Sequence, residues 1–410
     1  MTSSTLPPPP AVTPAPPKRS SGAYQKRNRW ERLFMIGAAI AIVAAWLIGF
    51  FSAGVDASTF VAKVLPGATS IDRSGEYYVG RDAAGAIVGY AGVGRGTGYG
   101  GPMRVVVGVN PAGAILGVEM VEERESPGFF RLVRSSKLFS GYVNRAIQTP
   151  LQLGQDLDSV TGATRSAEGV ANAVRDAVRG VAADALKTPL PPAQTRLEIG
   201  APEIVLVLLF AAGYVGHKLR APKVKRAVRW GTLIVGMLTI GFLYTLPLTI
   251  SMVVALLSGY WPDWQTNLYW YLLIGGIIFA TIVTNKNAYC SWFCPFGAFQ
   301  ECLAAVTRVK ASQAHGLHEP LKWLQRILAL VAIILGLALR NPGYAGYEPF
   351  ATLFDLRGTT VQWALLLIVV LASLMMYRPF CNYLCPLDPV VEFISAGRRW
   401  AKDTWKNRSR

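Results

Sequence analysis

Two copies of the motif Cys-x-x-x-Cys-Pro place four of the chain's five cysteines in matched pairs. The members of the two motifs are Cys290, Cys294 and Pro295, and Cys381, Cys385 and Pro386. Cysteines four apart on a helix lie on one face, and a proline marks where a helix ends or bends. Each motif is therefore expected to aim two sulfurs in one direction, and together they supply four thiolates.

Four thiolates suit several kinds of centre, and the sequence does not select between them. The spacing matches the end of the bacterial ferredoxin run, and four cysteines are enough for one [4Fe–4S] centre. Structural zinc, copper or a redox-active dithiol would use the same side chains. Cys302 lacks a partner motif and is expected to be a packed helix residue. The three histidines, His217, His315 and His318, are too few to ligate a transmembrane dihaem cytochrome.

A second segment, Asp158-Ser-Val-Thr161-Gly162-Ala163-Thr164-Arg-Ser166, places hydroxyl groups among small residues just ahead of a predicted helix. Small neighbours would leave the Thr164 hydroxyl accessible to a bulky phosphate group. The free amides and the dipole at a helix N-terminus would stabilise that phosphate. Capping of the helix by Thr161, Thr164 or Ser166 is the commoner role for such residues. The residues alone leave both interpretations open.

The composition is that of a membrane protein. Of the 410 residues, 52% are hydrophobic and 16% are charged, a balance too apolar for a soluble protein of this length. A hydrocarbon core of about 30 Å needs spans of roughly 17–25 apolar residues. Six segments meet that requirement: residues 33–54, 201–217, 231–258, 269–285, 322–340 and 361–378. The first is expected to be an uncleaved anchor, because its apolar run is longer than a signal core and no clear Ala-x-Ala follows.

Lys and Arg are distributed unevenly between the loops, which predicts the orientation. Basic residues concentrate in 1–32, 217–229, 285–326 and 378–410, whereas 259–268 has none and 341–360 has only Arg357. Both termini are therefore expected on the cytoplasmic side of the inner membrane, with residues 55–200 outside. The net charge of +17 follows mostly from this bias. It predicts attraction to anionic lipid, and no nucleic-acid partner is expected.

The extracytoplasmic segment has the pattern of a mixed α and β domain without disulfides, since it contains no cysteine. Short strand-like runs separated by Gly, Asn or Asp cover residues 77–81, 86–94, 103–110 and 114–121. Residues 166–186 are helical by period, with one apolar face formed by Val170, Ala173, Val174, Ala177, Val178 and Val181. The predicted fold class is a multi-pass α-helical membrane protein of about six transmembrane helices with an extracytoplasmic α+β domain.

The expected organisation has five parts. A proline-rich cytoplasmic tail, 1–32, is expected to stay extended and solvated, and it precedes the anchor, 33–54. The extracytoplasmic domain, 55–196, is followed by a five-helix membrane domain, 197–395, that holds both cysteine motifs, and by a basic cytoplasmic tail, 396–410. Because a span ending in the cysteine motif occurs twice, equivalent cysteines are expected to converge on one pseudo-symmetric site. Aromatic outer loops at 260–264 and 341–350 are typical of the interfacial belt, and a docking surface for the extracytoplasmic domain is the alternative.

The segment 158–166 resembles the Asp-x-x-[Ser/Thr]-Gly-Ala-[Ser/Thr] signature of FMN-binding domains that a flavin transferase modifies, as in the Rnf and sodium-pumping NADH:quinone reductase complexes. In that family the final threonine, here Thr164, carries FMN as a phosphoester. Gly98-Tyr99-Gly100-Gly101-Pro102 and Glu125-Ser126-Pro127-Gly128 are similar to the family's Gly-rich segment and its Glu-Thr-Pro-Gly turn, although Ser126 replaces the usual Thr. The resemblance implies a flavin site formed by Gly100, Glu125, Ser126, Pro127, Gly128, Asp158, Thr161, Gly162, Ala163, Thr164 and Ser166.

The order of anchor, FMN domain and helices with two cysteine motifs resembles the NosR/NirI flavoproteins linked to nitrous-oxide and nitrite respiration. It looks closer still to the PceC-type relatives associated with reductive dehalogenation. The resemblance covers about residues 30–395. Full NosR proteins continue into a cytoplasmic pair of ferredoxin-like clusters, which this sequence lacks before Arg410. Ferredoxin-type input from the cytoplasm is therefore not assumed.

The resemblance implies an electron-transfer component of an oxidoreductase. Electrons are expected to pass from quinol or a cytoplasmic-side donor, through the cysteine centre and covalent FMN, to an extracytoplasmic acceptor such as a respiratory reductase. A flavin transferase is the implied maturation partner. One difficulty is that an external flavin and internal thiolates are separated by much of a roughly 30 Å core. A redox sensor or maturation factor for a partner reductase, and copper handling or cupric reduction at the cysteines, remain alternative hypotheses.

Overall fold

A computed structural model describes residues 21–52, 54–98, 100–125, 127–190, 199–265, 267–284, 287–307 and 317–408. The proline-rich part of the predicted tail, up to residue 20, therefore lies outside the described residues. The chain divides into two compact units, residues 1–41 and 42–410. The described residues of the first unit all belong to helix α1 (Ser21–Phe51). All further elements belong to the second unit.

Residues 55–190, which we call the sheet domain, are built on a five-stranded antiparallel sheet whose strands follow chain order. The strands are β1 (Ser70–Ser74), β2 (Tyr77–Arg81), β3 (Ile87–Thr97), β4 (Pro102–Val109) and β5 (Ile115–Glu123). The last four confirm the predicted runs. The edge strand β1 escaped prediction because its side chains are mostly exposed and show no apolar alternation. Four helices accompany the sheet: α2 (Ser58–Val64), α3 (Pro127–Ser135), α4 (Leu138–Gly141) and α5 (Thr164–Asp184).

Helix α5 lies directly on strand β3. Its predicted apolar face is confirmed, since all six residues of that face are buried. Strand β3 presents glycine at the alternate positions Gly92, Gly94 and Gly96, where an added Cβ would run into the carbonyl oxygens of α5. Near the start of the helix, Gly169 lies against the backbone of Gly98 in the same way. This close packing puts the N-terminus of α5 beside the glycine-rich segment 98–101.

The remaining helices form the membrane domain. They are α6 (Ala201–Lys218), α7 (Pro222–Gly236), α8 (Ile250–Leu257), α9 (Leu268–Thr284), α10 (Ala288–Trp292), α11 (Pro295–Val306), α12 (His318–Ala338), α13 (Phe350–Phe354), α14 (Thr360–Ser373), α15 (Pro379–Tyr383) and α16 (Leu387–Arg408). A π-helical stretch, Met237–Leu243, extends α7, and a 3₁₀ turn, Pro342–Ala345, follows α12.

Within the described residues, four helices are long and apolar enough to cross a membrane: Trp30–Phe51, Ala201–Lys218, Pro222–Leu243 and His318–Ala338. A fifth span is counted if Leu268–Val283 and Ala288–Val306, which are bent by 96°, are taken together. Helix α14 is apolar but has only 14 residues. The structure therefore supports a protein with several membrane helices, while the predicted number of six goes beyond it.

The predicted third span, 231–258, is wrong as a single helix. The extended α7 ends at Leu243, and α8 does not begin until Ile250. Between them Thr245 adopts a positive φ of 50°, and Pro247 has no amide hydrogen to donate. Hydropathy cannot detect such a break, because every residue around it is apolar or small.

Candidate functional site

Thr164 is the first residue of α5 and is exposed. The preceding residue, Ala163, occupies the N-cap position, and no side chain forms a cap hydrogen bond there. Gly162 has a φ of +74°, a conformation that glycine adopts without strain. The hydroxyl groups of this segment therefore do not cap α5, which was the alternative role considered for them. Asp158, predicted to belong to the site, is exposed at the start of the segment.

Glu125 joins the three sequence segments that the prediction assigned to the flavin site. Its Oε1 accepts hydrogen bonds from the amides of Gly100 at 2.7 Å and Gly101 at 3.3 Å. Its Oε2 accepts a hydrogen bond from the Ser166 hydroxyl at 2.8 Å. Glu125 is 1% exposed, and this burial raises its pKa to about 7. Its side chain thus holds the glycine-rich segment against α5.

The other predicted residues of the turn have different placements. Ser126 lies outside the described residues, and so does Tyr99 of the glycine-rich segment. Pro127 begins α3, and Gly128 follows it in the same helix. An added Cβ at Gly128 would meet no atom within 4 Å, so its surroundings are open.

The sheet domain is docked on the loops that connect the membrane helices. The Arg124 guanidinium donates hydrogen bonds to the Tyr260 hydroxyl and to the Arg340 carbonyl oxygen. Arg340 also donates to the same hydroxyl, at 3.0 Å. An added Cβ at Gly343 would collide with the Glu125 carbonyl group. The aromatic loops therefore serve as a docking surface, which was the alternative to the interfacial belt.

The two cysteine motifs fold alike. In the first, Cys290 lies in α10, and Cys294 is the N-cap residue of α11. The amides of Phe293 and Cys294 both donate to the Tyr289 carbonyl, at 3.1 and 2.8 Å. In the second, Cys381 lies in α15, and the amides of Leu384 and Cys385 both donate to the Phe380 carbonyl, at 2.9 and 2.8 Å. This repetition of backbone geometry is what an internal duplication would produce.

The expectation that each pair of cysteines lies on one continuous helix is wrong. Helix α10 ends at Trp292 and α15 ends at Tyr383, before the second cysteine of each motif. Pro295 begins a helix instead of ending one, because it occupies the first position of α11, where no amide donor is needed. Pro386 directly precedes α16. The second cysteine therefore stands at a break between two helices.

The four thiols, which we call the cysteine centre, lie in one region of the membrane domain. Cys290 lies within electrostatic range of Cys294 and Cys381, and Cys385 lies within range of the other three. Amide side chains reach two of the sulfurs, from Asn287 to Cys290 at 2.9 Å and from Gln300 to Cys381 at 3.4 Å. Two backbone amides in the first turn of α11 also approach the Cys294 sulfur. Such donors stabilise thiolates.

A buried charge network borders the cysteine centre. Arg378 donates to the Cys290 carbonyl at 3.1 Å and lies within electrostatic range of the thiols of Cys381 and Cys294. Its other partner is Glu301 at 2.9 Å, which also accepts from Arg229 and from the Tyr377 hydroxyl. The guanidinium thus places positive charge beside the four thiols, while the Glu301 carboxylate holds it in position.

The described part of the chain contains no group of three or more His, Cys, Asp or Glu that is arranged to hold a metal ion. The chemistry of the cysteine centre is that of four thiols, which is the ligand set of a [4Fe–4S] cluster. Zinc and copper would use the same side chains. Two other potential metal ligands lie outside the cysteine centre. Cys302 is a partly exposed residue of α11, and the His318 ring lies 3.2 Å from the Tyr383 hydroxyl.

Several residues of these sites carry no motif that sequence reasoning could have used. Asn287, Gln300, Glu301 and Arg378 lie at or beside the cysteine centre. The Tyr347 hydroxyl donates to the Leu384 carbonyl beside that centre, and Arg357 Nη2 lies 3.5 Å from the Thr161 carbonyl oxygen. A signal existed for one of them, since Arg357 is the single basic residue of the 341–360 loop. The others become visible only when distant segments are brought together.

Comparison with known proteins agrees with both sites. Residues 98–179 match the family model of an FMN-binding domain. Residues 266–312 and 363–403, which contain the two cysteine motifs, match that of a 4Fe-4S binding domain. The predicted cofactors, FMN and one [4Fe–4S] centre, are thereby supported. Together with the apolar helices, the two domains define a membrane-associated electron-transfer flavoprotein.

About half of the chain is similar to curated relatives. It is 30% identical over 223 residues to "Regulatory protein NosR" of Pseudomonas aeruginosa, covering 50% of this chain and 31% of that protein. It is also 30% identical over 203 residues to "Protein NirI" of Paracoccus denitrificans, covering 45% and 30%. The chain thus spans about a third of the length of these relatives. A crystal structure of Shewanella oneidensis NqrC is 18% identical with a TM-score of 0.22, covering 29% of this chain and 70% of that one.

Proposed function

We propose that this protein conducts electrons between a [4Fe–4S] cluster held by the cysteine centre and FMN attached as a phosphoester to Thr164. The donor is quinol or a donor on the cytoplasmic side, and the acceptor is an extracytoplasmic redox protein such as a respiratory reductase. A flavin transferase attaches the FMN. The protein lies in the cytoplasmic membrane with both termini inside and the sheet domain outside.

One observation carries this proposal, namely that a single loop contacts both sites. Residues 341–350 leave α12 and pack Gly343 against the backbone of Glu125, at the flavin-site turn. Four residues further on, the Tyr347 hydroxyl donates a 2.7 Å hydrogen bond to the Leu384 carbonyl, next to Cys385. Four extended residues span at most about 14 Å, and the 3₁₀ turn shortens that path. These two contacts support a path between the sites that is shorter than the roughly 30 Å core that separates them in the sequence-based prediction.

The packing beyond this loop continues into both cysteine motifs. Phe350, the first residue of α13, contacts Phe296 and Phe380, with ring centroids 5.1 and 5.8 Å away. Phe296 and Phe380 also contact each other, at 4.9 Å. They lie two residues after Cys294 and one residue before Cys381. The three rings thus pack beside both cysteine motifs, in which Cys294 and Cys385 are buried and Cys290 and Cys381 are partly exposed.

The chemistry divides between the cofactors and the chain. When bound, the cluster exchanges single electrons and FMN couples one-electron to two-electron steps, while the protein sets their position and potential. Glu125 fixes the flavin pocket through its three hydrogen bonds. Arg378 neutralises negative charge beside the cysteines, and its own charge is balanced by Glu301. These residues hold the two sites in place.

Purification with native cofactors tests the proposal. In the full-length protein, Thr164→Val should abolish in-gel flavin fluorescence and the added flavin mass but leave the EPR signal of the reduced cluster. Cys290→Ser should remove that EPR signal but leave the flavin. Thr59→Val, at an exposed threonine of α2 outside the flavin site, and Cys302→Ser are matched controls that should retain both. A wild-type chain without added flavin mass, or with a stoichiometric single zinc ion and no iron, would refute the assignment.

Flux through the protein distinguishes electron transfer from a sensor. Wild-type protein supplied with a reduced quinol analogue should reduce its flavin repeatedly when an external oxidant is present. The Cys290→Ser variant should bind the same amount of flavin and fail to turn over. A sensor would respond once and show no sustained flux.

A further inference from the structure

We propose that Arg357 is a positioning residue that binds the phosphate group on Thr164 and so latches the flavin-loaded sheet domain to the membrane domain. This inference rests on the proposed attachment of FMN to Thr164. It adds that a residue from the other domain recognises the attached group. The loading of the flavin and the docking of the two domains then become coupled events.

The guanidinium of Arg357 lies flat against the attachment segment. An added Cβ at Gly162 would overlap the Nη2, Cζ and Nε atoms of Arg357, so only glycine leaves room for it. Arg357 Nη2 is 3.5 Å from the Thr161 carbonyl oxygen. Gly162 must therefore be a glycine both for its positive φ and for the arginine that covers it.

The attachment hydroxyl is within reach of this guanidinium. Thr164 is only two residues beyond Gly162, a separation of at most about 7 Å between Cα atoms. It is exposed, so a phosphate on its hydroxyl would have room beside the segment that Arg357 covers. An arginine guanidinium matches phosphate oxygens in a two-bond geometry that lysine cannot reproduce.

The Arg357 guanidinium also has N–H donors beyond the one that contacts the Thr161 carbonyl oxygen. Arginine carries five N–H donors, and the described residues provide one hydrogen-bond acceptor for them, the Thr161 carbonyl. The Asp355 carboxylate lies within electrostatic range and is the other charged group of this loop that acts on Arg357. A phosphate would replace a long contact to a neutral carbonyl with charge-assisted hydrogen bonds, which are about twice as strong as neutral ones.

The position of Arg357 makes this contact a latch. Arg357 belongs to residues 355–359, the connection between α13 and α14 of the membrane domain. The Arg124 and Gly343 contacts hold another part of the sheet domain, near Glu125. The Ser166 hydrogen bond to Glu125 links the two contact regions through α5. With the flavin attached, both are engaged, and without it the Arg357 contact loses its strongest partner.

Hydrogen exchange of the full-length protein in detergent tests the latch. We compare wild type with Thr164→Val, Arg357→Gln and Arg357→Lys. Arg131→Gln is the control, because it makes the same substitution at an exposed arginine of α3. Intact mass is measured first and should show attached flavin in every variant except Thr164→Val. Amide exchange in residues 355–359 should then be about tenfold faster in Thr164→Val and Arg357→Gln than in wild type, as expected for loss of one charge-assisted contact. Arg357→Lys should be intermediate, and Arg131→Gln should match wild type.

The outcomes separate this inference from the function on which it rests. Absence of flavin mass from wild type would overturn the attachment itself. Flavin present in wild type with equal exchange in Thr164→Val would overturn the latch alone. Arg357→Gln protein that carries flavin and keeps wild-type protection would overturn it too. Loss of flavin mass from Arg357→Gln would overturn the latch and assign the arginine to flavin attachment instead. Melting temperatures equal to that of wild type would show that the variants are folded.

Discussion

The buried carboxyl group of Glu125 predicts how the stability of the sheet domain depends on pH. Burial raises its pKa from 4.5 in an exposed group to about 7, against the opposing effect of the hydrogen bonds from Gly100, Ser166 and Gly101. Between these two values the folded domain holds a proton that the unfolded chain has lost. Folding stability therefore falls as pH rises from about 4.5 to about 7, and it levels off above that.

The magnitude follows from the size of the shift. One pKa unit corresponds to about 1.4 kcal/mol, so the shift of Glu125 amounts to a loss on the order of 3 kcal/mol across this pH range. For a domain of about 150 residues, which is close to the size of the sheet domain, this loss equals roughly 6–12 °C in melting temperature. Glu125→Gln keeps an acceptor for the Gly100 amide and cannot ionise. The melting temperature of the variant should therefore fall less than that of wild type between pH 5 and pH 8.

Scanning calorimetry of the full-length protein in detergent measures this difference. The comparison is wild type against Glu125→Gln, with Glu119→Gln as the matched control, because Glu119 is an exposed carboxylate paired with Lys63. The control should follow the pH dependence of wild type. If Glu125→Gln also followed it, or if wild type gained stability from pH 5 to pH 7 relative to the variant, the assigned sign would be refuted.

Three further substitutions test other parts of the structure. Gly180→Ala, at an exposed site of α5 where a methyl group meets nothing within 4 Å, should stabilise the protein by about 1 kcal/mol in calorimetry. Glu301→Gln removes the carboxylate that balances Arg378, so the free energy of unfolding should fall by about 3–5 kcal/mol and the EPR line shape should change. Unchanged stability would contradict the buried charge network. Tyr347→Phe removes the hydrogen bond to the Leu384 carbonyl at a cost of about 1 kcal/mol; flavin mass and EPR signal should remain while stopped-flow flavin reduction slows. An unchanged rate would argue against the loop as the connection.

The sheet domain was largely predictable because its elements follow local patterns. The apolar face of α5 repeats with helical period, and β2 to β5 are separated by turn residues. Strand β1 lacked this signal because an edge strand that is mostly exposed need not alternate. The segments that meet at the flavin site carried motifs, so their assembly around Glu125 could be anticipated. Their contacts with the membrane domain could not, since Arg357 pairs with a segment almost 200 residues earlier in the chain.

The membrane domain was less predictable for a physical reason. Hydropathy measures whether a segment can lie in lipid, and it does not distinguish one helix from two short helices joined by a break. The π-helical end of α7 and the turn at Thr245 thus escaped notice. The same limit explains why Cys290 and Cys294 seemed to share one helix. Their convergence with the second motif could be inferred from the repeat alone.

The entry of residues 341–350 into the membrane domain has a consequence for energetics under a membrane potential. Moving one charge across the full potential costs about 2.3 kcal/mol per 100 mV. The loop links the Glu125 turn to the neighbour of Cys385 through four residues. An electron passing between the proposed centres would therefore traverse only part of the field. Its rate would therefore respond less to voltage than the rate of a transfer across the whole membrane.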